Sequence, residues 1–306
     1  MELVGLMHVR DEQWVLGLSL PALLRFCDRV VLLDHGSTDR TPAIADKVAE
    51  THPDRLIRTQ WEGRHYNEMG IRQKLLDTGR EVGGTHFFMI DADEVLTGNL
   101  LSRVRGLVAE LEPGFGLELP WPAMWGNPDR YRSDASVWSN NTKLFAYADE
   151  PSLGHRPHGD GYDMHHQAPR GLRMPTKRPL GADSDGGVMH LQFANRRRLV
   201  AKHAWYKMSE TVRFPGREPA ELIDRKYNQA LDETGLGLAE APDSWWAPYA
   251  DLRSEMNLND SPWHEAEVLR FWQEHGSEMF EGLELWGLPE RLVLHADASR
   301  RSERVA

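Results

Sequence analysis

Along the first hundred residues the chain alternates between short apolar runs and longer stretches in which apolar positions recur at helical spacing. Residues 3–9 and 29–34 are nearly continuous apolar runs, and Phe87-Phe88-Met89-Ile90 is a third. Runs of that length predict strands buried on both faces, as inside a parallel sheet. Residues 56–60 read as a further short strand. Between the strands, Trp14, Leu16, Leu18, Leu20 and Leu23 mark a helix that Pro21 is expected to kink or divide. Thr41-Pro42 predicts a helix start with Thr41 as cap, the helix running to about residue 50. Residues 67–81 read as another helix, carrying Arg72. Strict alternation of strand and helix calls for an α/β fold whose parallel strands are joined by right-handed crossovers.

After residue 96 a helix is expected to about residue 111, and then the alternation lapses. Residues 116–119 and 143–146 read as strands, separated by an aromatic, turn-rich segment around Trp121 and Trp125. Residues 151–185 are dense in His, Gly, Pro and Asp, and a loop that long inside a domain is usually functional. Residues 187–193 return to a strand, followed by a helix over 196–210. The remainder reads as a helical extension packed on the core.

Chemistry collects where the buried runs stop. The fourth run ends in Asp91-Ala92-Asp93-Glu94, and the second ends in Asp34. In open α/β sheets ligands bind outside the carboxyl ends of the strands. Extended backbone would put Asp91 and Asp93 on one side, where they repel unless a cation lies between them. A divalent ion of the Mn²⁺ or Mg²⁺ type, taking oxygen ligands and shared with substrate phosphates, would satisfy the pair. The plainer reading is a solvated loop that starts the next element. No Gly-X-Gly-X-X-Gly follows the first or second strand, which argues against a dinucleotide-binding Rossmann site, and no Walker-type loop is present.

Composition narrows the partners. The chain has 306 residues and a formal charge of −11 from 36 basic and 47 acidic residues. That balance argues against nucleic acid as a general partner. The single cysteine, Cys27, cannot form an intrachain disulfide, and a reducing cytoplasm is the expected compartment. No apolar run approaches a membrane span and no secretory pattern opens the chain, so no integral membrane contact is expected. Eleven tryptophans are a heavy load, and flat aromatic faces suit sugar-binding clefts as well as cores.

Three ordered motifs, His8-Val9-Arg10-Asp11-Glu12, then Asp34-His35-Gly36-Ser37-Thr38-Asp39-Arg40-Thr41, then Ile90-Asp91-Ala92-Asp93-Glu94, together resemble the family-2 glycosyltransferases of the GT-A fold. A weaker echo lies at Val188-Met189-His190-Leu191-Gln192-Phe193 and Lys202-His203-Ala204-Trp205-Tyr206-Lys207. The resemblance implies an open, mostly parallel GT-A-type sheet flanked by helices. The core would span residues 1–210, with a nucleotide-binding half over 1–95 and a metal and acceptor half over 96–210; the helical extension would be 211–306. It implies that Val9, Arg10 and Glu12 wall the nucleotide and that Asp34, Gly36, Ser37 and Asp39 lie near base and ribose. Turn and cap chemistry is the plain alternative for Ser37, Asp39 and Thr41.

By the same resemblance Arg72 reaches nucleotide or phosphate, Asp93 is the direct metal ligand, Asp91 contacts ribose or metal, and His190 completes the metal site. A satisfied core residue is the alternative for His190. The implied reaction is transfer of a sugar from a nucleoside-diphosphate sugar to a hydroxyl acceptor with inversion, a side-chain base taking the hydroxyl proton. The Glu-Asp pair that serves as base in many relatives is missing between Phe145 and His190. Asp163 is the expected base, with Asp160, His165 and His166 as the other candidates. The acceptor would be a small molecule, a saccharide or a protein, in a pocket shaped by residues 121–131, Trp138 and the C-terminal helices. A nucleotidyltransferase or pyrophosphorylase, and an inert binding scaffold of the same fold, are the competing readings. Asp93→Ala is expected to stop transfer without disturbing the fold, as the loss of one exposed loop carboxylate.

Overall fold

A computed structural model describes residues 1–62, 67–139, 141–156, 168–173, 176–177 and 186–303. The first half runs β1 (Leu3–Val9), α1 (Leu16–Leu24), β2 (Arg29–Asp34), α2 (Thr41–Thr51), β3 (Leu56–Gln60), α3 (Glu68–Glu81), β4 (His86–Asp91) and β5 (Glu94–Leu96). Then come α4 (Val104–Ala109), β6 (Gly116–Pro120), β7 (Arg130–Arg132), β8 (Thr142–Ala148), β9 (Thr176–Lys177) and β10 (Val188–His190). The chain closes with α5 (Arg196–Arg213), α6 (Ala220–Asn228), β11 (Leu238–Glu240), α7 (Asp243–Trp246), α8 (Trp263–His275) and α9 (Leu288–Glu303).

The main sheet has the order β3-β2-β1-β4-β8-β6-β9. Its first four strands are mutually parallel, and β8 pairs antiparallel with both β4 and β6. This is the expected α/β architecture, a mostly parallel open sheet flanked by helices. The apolar runs are continuous because both faces of the sheet are covered. Leu3, Met7, Val9, Val30, Leu32, Phe88 and Ile90 pack on one side with α1, while Val4, Leu6, Val31, Leu33, Phe87 and Met89 pack on the other with Ile71, Leu75 and Leu76 of α3. Burial of each such side chain contributes about 1.5–3 kcal/mol before conformational entropy is set against it. Gly5 permits the close approach of α1, since a Cβ there would lie 2.7 Å from a Leu23 methyl.

Several expected boundaries move. Pro21 lies inside an undivided α1, where one backbone hydrogen bond is forgone in a helix that buries every residue except Pro21 itself. The helix expected over 96–111 is a 3₁₀ turn, Gly98–Leu100, followed by the short α4. Gly98 sits against Pro248, and a Cβ on it would clash with the proline ring. The strand expected over 187–193 stops at His190, where a 3₁₀ turn begins. It pairs antiparallel with β5, and β7 pairs with β11.

The C-terminal helices do two things. Trp245, Trp246 and Tyr249 join the apolar layer under the main sheet. Trp205 and Met208 of α5 form a separate cluster with Val268 and Phe271 of α8 and with Phe280 and Leu285. Lys207 is fully buried in that region, paired with Asp224 at 2.7 Å and placed over the Trp286 ring. Among the described residues no helix is long and apolar enough to cross a membrane.

Candidate active site

Strand register aligns the acidic strand ends. Val9 stands opposite Asp34, His8 opposite Asp91, and Asp34 opposite Gln60. The carboxyl edge of the parallel sheet therefore carries both acidic motifs, one on each side of β1.

At Asp34 the chain turns through Gly36, whose φ of +68° is the left-handed conformation that glycine adopts without penalty. The Asp34 carboxylate accepts hydrogen bonds from the Ser37 amide and hydroxyl at 2.9 and 2.7 Å. The rest of this turn is lashed to the loop after β1. Ser37 Oγ accepts from the Asp11 amide, Thr41 Oγ1 from the Glu12 amide and Asp39 from the Gln13 amide, at 2.8 to 3.1 Å. Thr41 is therefore a tether rather than the cap of α2; Asp39 takes the Thr41 amide at 2.8 Å. A cavity of about 220 Å³ opens beside these loops, lined by Val9, Asp34, Thr41, Arg58 and Gln60 among others.

The second acidic motif is built differently from the expectation. Asp91 ends β4, but Ala92 and Asp93 form a turn into β5, so the two aspartates do not project from one extended segment. The turn follows from tertiary pairing. The Asp93 carbonyl accepts from the Leu191 amide, and Glu94 lies opposite His190.

Cations from three distant elements meet the carboxylates. Arg72 of α3 donates from Nη2 to Asp91 at 2.7 Å and from Nε to Glu68 at 2.6 Å. Lys143 of β8 donates to Glu94 at 2.6 Å and lies 3.8 Å from Asp91. Lys202 of α5 donates to Asp93 Oδ2 at 3.1 Å, and His190 Nε2 stands 3.7 Å from the same oxygen. Burial pushes both aspartates up, but Arg72 and Lys143 at Asp91, and Lys202 and His190 at Asp93, outweigh it and hold both carboxyls well below the usual range. Burial brings His190 down to about 4, against the pull of Asp93, so the ring is neutral at pH 7. Trp121 stacks on that ring at 4.2 Å, and the Lys143 ammonium lies over the indole.

Mutual repulsion of Asp91 and Asp93 thus has an internal answer, and charge balance alone does not demand a metal. Among the described residues no group of three or more His, Cys, Asp or Glu side chains is arranged to hold an ion. Asp93 and His190 come together as a pair, whereas Asp91 is turned to Arg72. The expected bases Asp160, Asp163, His165 and His166 lie outside the described residues.

Two cavities share the site. One of about 560 Å³ is lined by Arg72, Asp91, Trp121, Trp138, Lys143 and His190 and reaches Tyr206 and Tyr227. A smaller one of about 100 Å³ lies between Arg10, Glu12, Asp93, Lys202, Trp263 and His264. Arg72, Asp91, Lys202 and Tyr206 line both, so the spaces adjoin.

Sequence reading gave no role to Glu68, Lys143, Lys202 or His264. The available signal was a charge placed on an apolar face. Glu68 and Arg72 occupy the buried stripe of α3 with Leu75, Leu76 and Gly79, and Lys202 interrupts Leu199-Val200-Ala201 and Ala204-Trp205.

Glu12 makes a pH prediction. Its carboxylate accepts from Trp14 Nε1, and burial, followed by the nearby Asp93, raises its pKa to about 8 against Lys202 and Arg198. The folded protein then holds a proton on Glu12 that the unfolded chain has lost, so this group takes stability away as pH rises from about 5 through 8. Glu12→Gln is expected to match the wild type in thermal midpoint at pH 5 and to exceed it by about 2–4 °C at pH 9. A pH-independent difference would show that Glu12 ionises normally.

No protein-family model and no curated protein sequence matches the chain. Solved structures resemble it at low identity. The complex of S. aureus TarS 1-349 with UDP-GlcNAc matches at 11% identity and TM-score 0.40, over 99% of this chain and 92% of that one. The mannosyltransferase PcManGT from Pyrobaculum calidifontis, in complex with GDP-Man and Mn²⁺, matches at 15% identity and TM-score 0.35, over 97% and 86%. GalNAc-T7 with UDP, GalNAc and Mn²⁺ matches at 13% identity and TM-score 0.39, over 89% of this chain and 57% of its own.

Proposed function

We propose that the protein is a glycosyltransferase that takes a sugar from a nucleoside-diphosphate donor and passes it to a hydroxyl acceptor with inversion. One observation carries this reading: the cavity at Asp34 and the carboxylate-cation cluster at Asp91 and Asp93 sit on the same carboxyl edge of one parallel sheet. Nucleoside and diphosphate need two such adjoining places. Val9, Asp34 and the Gly36–Asp39 turn are assigned to base and ribose, where a carboxylate accepts from ring N–H or sugar hydroxyls. Residues 1–95 are then the nucleotide half of a core spanning 1–210.

A divalent ion fits as a shared ion rather than a caged one. Mg²⁺ and Mn²⁺ are commonly held by one or two protein groups plus substrate phosphates, and Asp93 with neutral His190 is a suitable pair, with Asp91 beside it. When bound, the ion supplies Lewis-acid stabilisation of the leaving diphosphate. Arg72 and Lys202 place further positive charge at the same spot. The bond from the anomeric carbon to the diphosphate breaks as the acceptor oxygen attacks, and the acceptor proton passes to the base.

Asp163 is proposed as that base, with Asp160 and His165 as the alternatives. Asp163→Asn is expected to lower turnover about 100-fold with unchanged donor affinity. Loss of donor affinity instead would remove Asp163 from that role. Trp121, Trp138, Tyr206 and Tyr227 offer the acceptor flat faces of the kind that suit a saccharide ring.

Calorimetric titration with UDP, GDP, CDP and dTDP, each with and without Mn²⁺, tests the reading. Binding of one of them, tightened by Mn²⁺, is the expected result. Failure of all four to bind would overturn it.

A further inference from the structure

Of the three cations that meet the carboxylate cluster, Lys202 is the most loosely held. Arg72 is fixed by two acids at 2.6 and 2.7 Å, and Lys143 by Glu94 at 2.6 Å. Among the described residues the Lys202 ammonium makes a single hydrogen bond, to Asp93 Oδ2 at 3.1 Å. Strong charge-assisted N–H···O bonds are shorter, about 2.7–2.9 Å. The Lys202 side chain is 20% exposed, against 4% for Arg72.

The oxygen that Lys202 uses is the one a divalent ion would need. His190 Nε2 stands 3.7 Å from the same Oδ2, so an ion taking Asp93 and His190 together would meet the ammonium there. Two positive charges on one buried carboxylate oxygen repel each other, and the ion binds best once the ammonium has left. The other two partners are fixed. Trp121 stacks on the His190 ring at 4.2 Å and Phe193 meets it edge-on at 5.1 Å, while the Asp93 carbonyl accepts from the Leu191 amide at 2.8 Å. Lys202 has room to move. It lines both the 560 Å³ and the 100 Å³ cavity, and its flexible four-carbon stem can carry the ammonium away from Asp93 without moving α5.

We propose that Lys202 is the resident counter-ion of Asp93 and is exchanged for the divalent ion: the ammonium must leave Asp93 before the ion binds there. The proposal rests on Asp93 and His190 as ligands of that ion, as in the reading above. Only ionic partners change in the exchange, and no covalent bond is made or broken. It spares buried Asp93 from standing without a cation, a state that is strongly destabilising. It also ties the ion to an anion. The displaced ammonium needs a new negative partner, so a divalent ion and an anionic ligand favour each other's binding through Lys202.

Titration of the full chain with Mn²⁺, read from the electron paramagnetic resonance of the free ion, tests the exchange without any turnover. Lys202→Met and Lys202→Gln remove the charge, and Lys202→Arg keeps it. Lys226→Met removes the same charge from the wall of the larger cavity, where Lys226 pairs with Glu210. Thermal midpoints report which variants fold. Without nucleotide, Mn²⁺ is expected to bind Lys202→Met and Lys202→Gln about tenfold tighter than the wild type, with Lys202→Arg and Lys226→Met within about twofold of it. The tightening of Mn²⁺ by UDP, or by its replacement from the panel, should shrink by about the same factor in the two uncharged variants. Mn²⁺ affinity unchanged in a folded uncharged variant, or raised equally in Lys226→Met, would overturn the exchange. Tighter Mn²⁺ in Lys202→Met with no nucleoside diphosphate bound would support the exchange and overturn the nucleotide-sugar reading. Nucleotide binding tightened by Mn²⁺, with Mn²⁺ affinity indifferent to Lys202, would do the reverse.

Discussion

Replacement of Asp93 by asparagine is expected to lower sugar transfer about 1,000-fold at saturating Mn²⁺, a loss of about 4 kcal/mol in transition-state stabilisation. The side chain keeps its volume and loses its charge. Two effects add: the divalent ion proposed for this site would lose a carboxylate ligand, and Lys202 and His190 lose the carboxylate that holds them at 3.1 and 3.7 Å. Alanine makes a poorer test, contrary to the sequence expectation of an exposed carboxylate, because Asp93 is only 6% exposed. Asp93→Ala would leave the Lys202 ammonium beside an empty space and remove about 3 kcal/mol of stability. Steady-state kinetics over a Mn²⁺ titration, with thermal midpoints for each variant, separates the two effects. Transfer at the wild-type rate in Asp93→Asn would remove Asp93 from the chemistry altogether. A variant active without metal and unresponsive to it would leave the diphosphate charge to Arg72 and Lys202.

How much of this could be read from the chain follows from where each feature stores its information. β1, β2 and β4 were legible because a strand buried on both faces writes itself as consecutive apolar residues, and Asp34 and Asp91 at the strand ends were legible for the same reason. The helix carrying Arg72 was legible in extent, with Asn67 as its cap taking the Gly70 amide at 3.1 Å. β5 was not, because Glu94–Leu96 is a strand only by virtue of Val188–His190, some ninety residues on. The burial of Asp93 was equally hidden. A carboxylate in a turn reads as solvated until its counter-ion is found, and Lys202 is 109 residues away. The placement of His264 beside Arg10 and Glu12 depends on α8 folding back over the loop after β1, which no local pattern announces. Site residues at the ends of the buried parallel strands are encoded locally, whereas Lys143 of β8 and Lys202 of α5, which reach them from later in the chain, are encoded in packing.

Arg72 is the residue on which both levels meet, and Arg72→Met should be the most damaging single change to stability in the site. Arg72 is 4% exposed, and its guanidinium is the direct partner of two carboxylates, Glu68 at 2.6 Å and Asp91 at 2.7 Å. Methionine replaces the stem and leaves both acids without that cation, a loss expected to be about 3–5 kcal/mol. The pH dependence distinguishes charge from packing. In the wild type Asp91 has a depressed pKa, so its pairing contributes stability above the unfolded carboxyl value near 3.8, and that contribution is lost only as pH falls through the lower folded value. Without Arg72, burial at Asp91 is opposed by Lys143 but no longer by the guanidinium, and Glu68, whose pKa burial already lifts, is raised further. Glu68 then holds a proton in the folded state that the unfolded chain releases, and the variant loses stability as pH rises. Urea denaturation should therefore show a stability gap between wild type and Arg72→Met that is wider at pH 8 than at pH 5. An equal gap at both values would mean that the stem and its packing, rather than the charge, hold α3 against the strand ends. Nucleoside-diphosphate affinity in the same variant reads the functional side, because Arg72 lines both cavities. It should fall at least tenfold under conditions where the variant is still folded.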